Sequence, residues 1–137
     1  MKKYEQIDIS GDVGLRIWGK TPEELFENAA LGMFELITDI NNIKETEKKE
    51  IFLDRDNYEN MIIKWLNELI FHFDTYGFIG RSLSVKLEEN TLKAHITGGI
   101  FDPDINESGL LLKAATYNSL SVTKTESGWQ AIVIFDI

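Results

Sequence analysis

The chain has no cysteine, two prolines, two histidines and no long apolar run. Without cysteine there is no disulfide framework, no thiol nucleophile and no zinc–thiolate site, and a reducing interior is the expected setting. With so little proline and no repetitive tract, nothing marks a linker or an internal repeat, so residues 1–137 read as one domain. A domain of this size buries about two thirds of its unfolded surface. No stretch approaches the roughly twenty apolar residues of a membrane-spanning helix, and "MKKYEQIDIS" carries lysines without the apolar core of a signal peptide. A cytoplasmic protein with no membrane partner is expected. Basic residues are also scarce, with 14 Lys and Arg against 23 Asp and Glu, a net charge of −9. That balance opposes the phosphate neutralisation behind most nucleic-acid affinity, so free RNA or DNA is not expected as a direct ligand. It suits hard cations or a basic protein partner.

The chain does have periodic apolar residues, 43% of the total. In "TPEELFENAALGMFELI", Thr21 is placed to cap a helix, Pro22 suits its first position, and Glu24 is spaced to reach back to the Thr21 amide. Leu25, Phe26, Ala29, Ala30, Met33, Phe34 and Ile37 then fall on one face, and Gly32 in the helix interior marks close packing. A second helix is predicted over "DNYENMIIKWLNELIFHFDTYG", with Asp56 as cap, Glu59 three residues on and an end near Gly77.

The other segments alternate with period two, as strands do. "YEQIDI" and "VGLRIWG" flank the turn Ser10-Gly11-Asp12, and "EIFLDRD" lies between the helices. "RSLSVKLEENTLKAHITGGIF" predicts a hairpin turning near Glu89-Asn90, with Leu83, Val85 and Leu87 across from Leu92, Ala94 and Ile96. After the acidic loop "DPDINESG", the last segment folds back at Ser127-Gly128. The order predicts a two-layer α+β fold, two helices packed on one face of a mainly antiparallel β-sheet.

No GxSxG elbow, P-loop or HExxH motif is present, and neither His72 nor His95 is assigned a catalytic role. Carboxylates are the better prospect. Asp12 lies in "SGDVG", where flanking glycines let backbone carbonyls approach a ligand, and Asp136 stands one residue from the α-carboxylate of Ile137. An isolated turn aspartate is more often a local hydrogen-bond acceptor than a ligand. Three such charges about 4 Å apart would repel by about 1–4 kcal/mol per pair, a cost that a hard divalent cation turns into binding. Lys113, in "LLLKAATYN", is a lone cation among apolar and small residues. It reads most simply as a snorkelling lysine, and beside a carboxylate cluster it would instead hold a phosphate or acidic group. Trp129 reads as core, continued by Ala131, Val133 and Phe135.

Taken in order, "ISGDVGLRIWGKTPEELFENAALGMFELITD", "WLNELIFHFDT", "LKAATYNSL" and "GWQAIVIFDI" resemble the archease family over nearly the whole chain. The resemblance implies a non-enzymatic protein cofactor of RtcB-type RNA ligases in tRNA splicing. Such a cofactor accelerates formation of the ligase's histidine–guanylate intermediate and supports repeated turnover, and it meets RNA only through the ligase. It further implies that Asp12, Asp136 and the Ile137 carboxylate bind a divalent metal, calcium first with magnesium or manganese as alternatives. Lys113, with Asp12 and Asp136, is implied in activating the partner. Archeases usually carry histidine at the position of Ile9 and often at that of Asn118, so two titrating groups are absent here. The competing readings are a stand-alone metal-dependent phosphohydrolase and a structural or chaperone-like interaction module.

Overall fold

The computed structural model describes residues 2–137. Its elements are β1 (Tyr4–Ile9), β2 (Asp12–Gly19), α1 (Pro22–Ile37), a short 3-10 turn (Ile40–Asn42), β3 (Glu47–Asp54), α2 (Tyr58–Tyr76), β4 (Phe78–Leu87), β5 (Thr91–Ile100), β6 (Ala114–Thr125) and β7 (Gly128–Asp136). The fold is α+β in two layers, helices on one side and strands on the other. The strands form two separate sheets, ordered β1-β2-β7-β6 and β3-β5-β4, and every pairing is antiparallel.

Side chains of the helices occupy the sheet edges that would otherwise seek another strand. Glu27 of α1 accepts the Val85 amide of edge strand β4 at 2.8 Å. Asn67 of α2 accepts the Ala115 amide of edge strand β6 at 2.8 Å and donates to the Ala115 carbonyl at 3.2 Å. An edge whose polar groups are already bonded does not recruit a neighbour.

α1 starts as its sequence predicts at Thr21, whose hydroxyl accepts the Glu24 amide at 3.1 Å. The Glu24 carboxylate takes the Lys20 amide at 3.4 Å instead of closing onto Thr21. α2 is capped one residue later than expected. Asn57 accepts the Asn60 amide at 2.8 Å, while Asp56 accepts the Asn57 amide at 2.7 Å. Gly77 ends α2 with φ 70°, the left-handed region open to glycine, and its amide returns to Phe73.

The core lies between the layers. Leu15, Ile17, Ala131, Val133 and Phe135 of the first sheet and Val85, Leu92, Ala94 and Ile96 of the second are buried against Phe26, Phe34, Trp65, Leu66 and Leu69. Trp65 also locks the two helices by donating its indole N–H to the Phe26 carbonyl at 2.9 Å. Gly32 is where α1 meets the Tyr4 ring, which a Cβ would approach to 3.0 Å. The predicted β4/β5 register is observed, with Leu83, Val85 and Leu87 opposite Ile96, Ala94 and Leu92. Trp129 packs edge-on to Tyr58 with ring centres 5.1 Å apart. No helix among the described residues is long and apolar enough to cross a membrane.

Candidate functional site

The site is built from the ends of three strands. The β1/β2 turn is tighter than the predicted three residues: Ser10 and Gly11 alone make it, with φ of 52° and 86°, as a type I′ hairpin demands. Asp12 is therefore the first residue of β2, paired across β1 with Ile9. On the other side, β2 pairs with β7 in a register that sets Val13 opposite Phe135. One step further along this antiparallel ladder, Asp12 falls opposite Asp136. Val13 and Phe135 turn toward the helices, so alternation places both aspartates on the other face of the sheet.

Lys113 reaches the same end from the third strand. It precedes β6 and does not lie within it as expected, but its amide donates to the Asp136 carbonyl at 2.8 Å. Gly11, Asp12, Val13, Lys113, Phe135, Asp136 and Ile137 line one open concavity of about 290 Å³. The structure thus gathers the four residues singled out by sequence, Asp12, Asp136, Ile137 and Lys113, which lie more than 100 positions apart at the extremes. All four are exposed. Among the described residues, Lys113 has no carboxylate within the 4.0 Å of an ion pair. Two aspartates thus share a concavity with an ammonium group that neither one neutralises by contact.

The donors here are all oxygen, the chemistry of a hard cation. Among the described residues no three His, Cys, Asp or Glu side chains converge as a metal site. The aspartates supply two donors, and any further oxygen comes from the backbone, including Ile137, or from water. Gly11 leaves open space beside them, with no atom apart from those of its chain neighbours within 4 Å of where a Cβ would stand.

The histidines are elsewhere. His95 on β5 faces Glu50 at 3.2 Å. His72 on α2 lies 3.4 Å from Glu68 and packs on Phe71 and Tyr76, and burial followed by the Lys49 charge pushes its titration below the ordinary value. Ile9 stands directly across from Asp12, and Asn118 lies in a bulge where four residues of β6, 117–120, pass one residue of β7. Sequence reasoning missed Asn67, which grips β6 two residues beyond Lys113. Its only outward sign was a polar residue next to the apolar stripe of α2.

The archease protein family model matches residues 4–137. The chain belongs to the archease family. Archeases of Methanosarcina barkeri and Saccharolobus islandicus are similar to it at 38% and 37% identity. The first alignment covers 99% of this chain and 97% of the relative, and the second covers both completely. Among solved structures, a Methanobacterium thermoautotrophicum protein aligns over 100% of both chains with a TM-score of 0.82 and 28% identity. A Thermotoga maritima archease, described as a possible chaperone, aligns over 97% of this chain and 96% of that one, with a TM-score of 0.71 and 26% identity.

Proposed function

We propose that this member of the archease family is the protein cofactor of an RtcB-type RNA ligase in tRNA splicing, speeding guanylylation of the ligase and sustaining multiple turnover. The observation that carries the reading is the convergence of Asp12, Asp136, Ile137 and Lys113 at one exposed end of the sheet. Recessed side chains would suit a small substrate held inside the chain's own pocket, whereas these stand where a partner's active site can receive them.

In this reading the two aspartates and the Ile137 carboxylate hold a divalent cation, calcium first, with magnesium or manganese as alternatives. The cation, when bound, supplies positive charge and open coordination positions for phosphate oxygens. Lys113 brings a mobile ammonium to the same phosphates as a point charge. The end of the sheet brings both to one concavity, so the contribution to the ligase reaction is orientation and electrostatics, with no bond broken by this chain. The net charge of −9 over the whole chain disfavours direct binding of RNA and leaves the ligase to bind it.

The test is multiple-turnover joining of a 5′-hydroxyl RNA to a 2′,3′-cyclic-phosphate RNA by the cognate ligase, with and without the protein. A rise in turnover and in guanylylated ligase is expected. Unchanged turnover with both proteins folded would remove the reading and favour a chaperone-like role, of the kind attributed to the Thermotoga relative.

A further inference from the structure

Lys113 lies just outside β6, at the start of an edge strand that has no neighbour on its free side. A strand end in that position frays readily, and Lys113 would then swing away from Asp12 and Asp136. Burial of the preceding Leu112 in the core opposes this, and so do two polar contacts. From β7, the Asp136 carbonyl accepts the Lys113 amide at 2.8 Å. From α2, the Asn67 side-chain amide bonds both outward polar groups of Ala115, accepting its N–H at 2.8 Å and donating to its carbonyl at 3.2 Å. One planar amide thereby bonds the edge as a neighbouring strand would. Immediately afterwards the ladder breaks, with residues 117–120 bulging out and Ser119 at φ 53°. Regular pairing to β7 around Lys113 therefore spans only Ala114, Ala115 and Thr116 before the bulge, and Asn67 grips the middle of these three.

We infer that Asn67 is a positioning residue for the site: it anchors the short first segment of β6 to the buried face of α2 and so holds Lys113, and through the Lys113 amide the end of β7, beside Asp12. The role assigned to the anchored residues rests on the function proposed above, whereas the anchoring itself does not. Groups that orient ligands without touching the metal typically alter metal affinity by about 10–100-fold when lost.

The experiment compares wild type, Asn67→Leu, Asn67→Asp and Glu27→Leu by calorimetric calcium titration and by amide hydrogen exchange without metal. Glu27→Leu removes the corresponding helix-to-edge bond on the other sheet, to Val85, and serves as a control for general loss of stability. Asn67→Leu is expected to weaken calcium binding about tenfold or more and to speed exchange of the Lys113 amide, which Asn67 does not itself touch. Asn67→Asp keeps the acceptor for Ala115 N–H and should restore part of both. Glu27→Leu should leave calcium affinity and the Lys113 amide unchanged. Wild-type behaviour of Asn67→Leu, or equal losses in Asn67→Leu and Glu27→Leu, would overturn the assignment. If wild type itself binds no calcium, the metal reading fails and exchange decides alone. Faster Lys113 exchange confined to the Asn67 variants then supports the anchor, and unchanged exchange overturns it.

Discussion

Single residues carry the site, and their identities were more legible in sequence than their spacing. Asp12, Asp136 and Ile137 were singled out because carboxylates at a glycine turn and at a strand end are chemically suited to a cation, and resemblance brought Lys113 to the same place. Sequence could not show that a register set by Val13 and Phe135 brings Asp12 opposite Asp136. Asn67 was illegible for another reason: an asparagine beside an apolar stripe looks the same whether it faces water or bonds a strand edge. On the proposed metal role, Asp136→Ala should abolish calcium binding by calorimetry while changing unfolding stability by no more than about 0.5 kcal/mol, the usual range for an exposed side chain.

Glu27 allows a sharper test at this scale. Burial raises its carboxyl above the ordinary 4.5, opposed by the Val85 amide and reinforced by the charges of Glu24 and Glu23. A raised acid is favoured protonated in the folded state, so its contribution to stability is full below the ordinary glutamate value and is lost as pH rises through the folded value. Glu27→Gln keeps an acceptor for the Val85 amide without the half-buried charge. Urea unfolding at about pH 4 and about pH 7 should therefore show the variant gaining on wild type as pH rises. A difference independent of pH would contradict this.

At the level of elements, periodicity found both helices and the principal strand segments, while ends and caps shifted by a few positions. Asp56 and Asn57 are both good caps in adjacent positions, and the sequence does not rank them. In the structure Asn57 caps α2 and Asp56 supports it from outside. Asn57→Ala should therefore cost about 1 kcal/mol in urea unfolding. A negligible loss would return the capping role to Asp56. β3 begins at Glu47 and not Glu50, because pairing with β5 continues through Gly98, beyond the clear alternation. The β6 bulge had no visible signal, since alternation on either side of Tyr117–Leu120 remains plausible for a straight strand. Gly14 shows the opposite case, a constraint tight enough to test: a Cβ there would meet the Ile134 side chain at 2.6 Å and the Val133 carbonyl at 3.0 Å. Gly14→Ala should destabilise by about 1–3 kcal/mol, read by thermal unfolding, through overpacking beside the site.

For the whole molecule, the α+β class and the layering of helices on antiparallel strands were readable from element order. The division into two sheets was not, because strand partners are set by long-range pairing that local alternation does not encode, and the bonds of Glu27 and Asn67 to strand edges 58 and 48 residues away are equally invisible in it. The helices pack against the sheets, and one end of the four-stranded sheet presents two aspartates, Ile137 and a Lys113 without an ion-pair partner among the described residues. A cofactor acting through that end needs it intact and little else chemically. The most direct measurement is the initial rate of ligase guanylylation with wild type and with Asp136→Ala, both verified as folded, at matched concentrations. Stimulation by wild type and none by Asp136→Ala is the expected result. Equal stimulation by the two would contradict it.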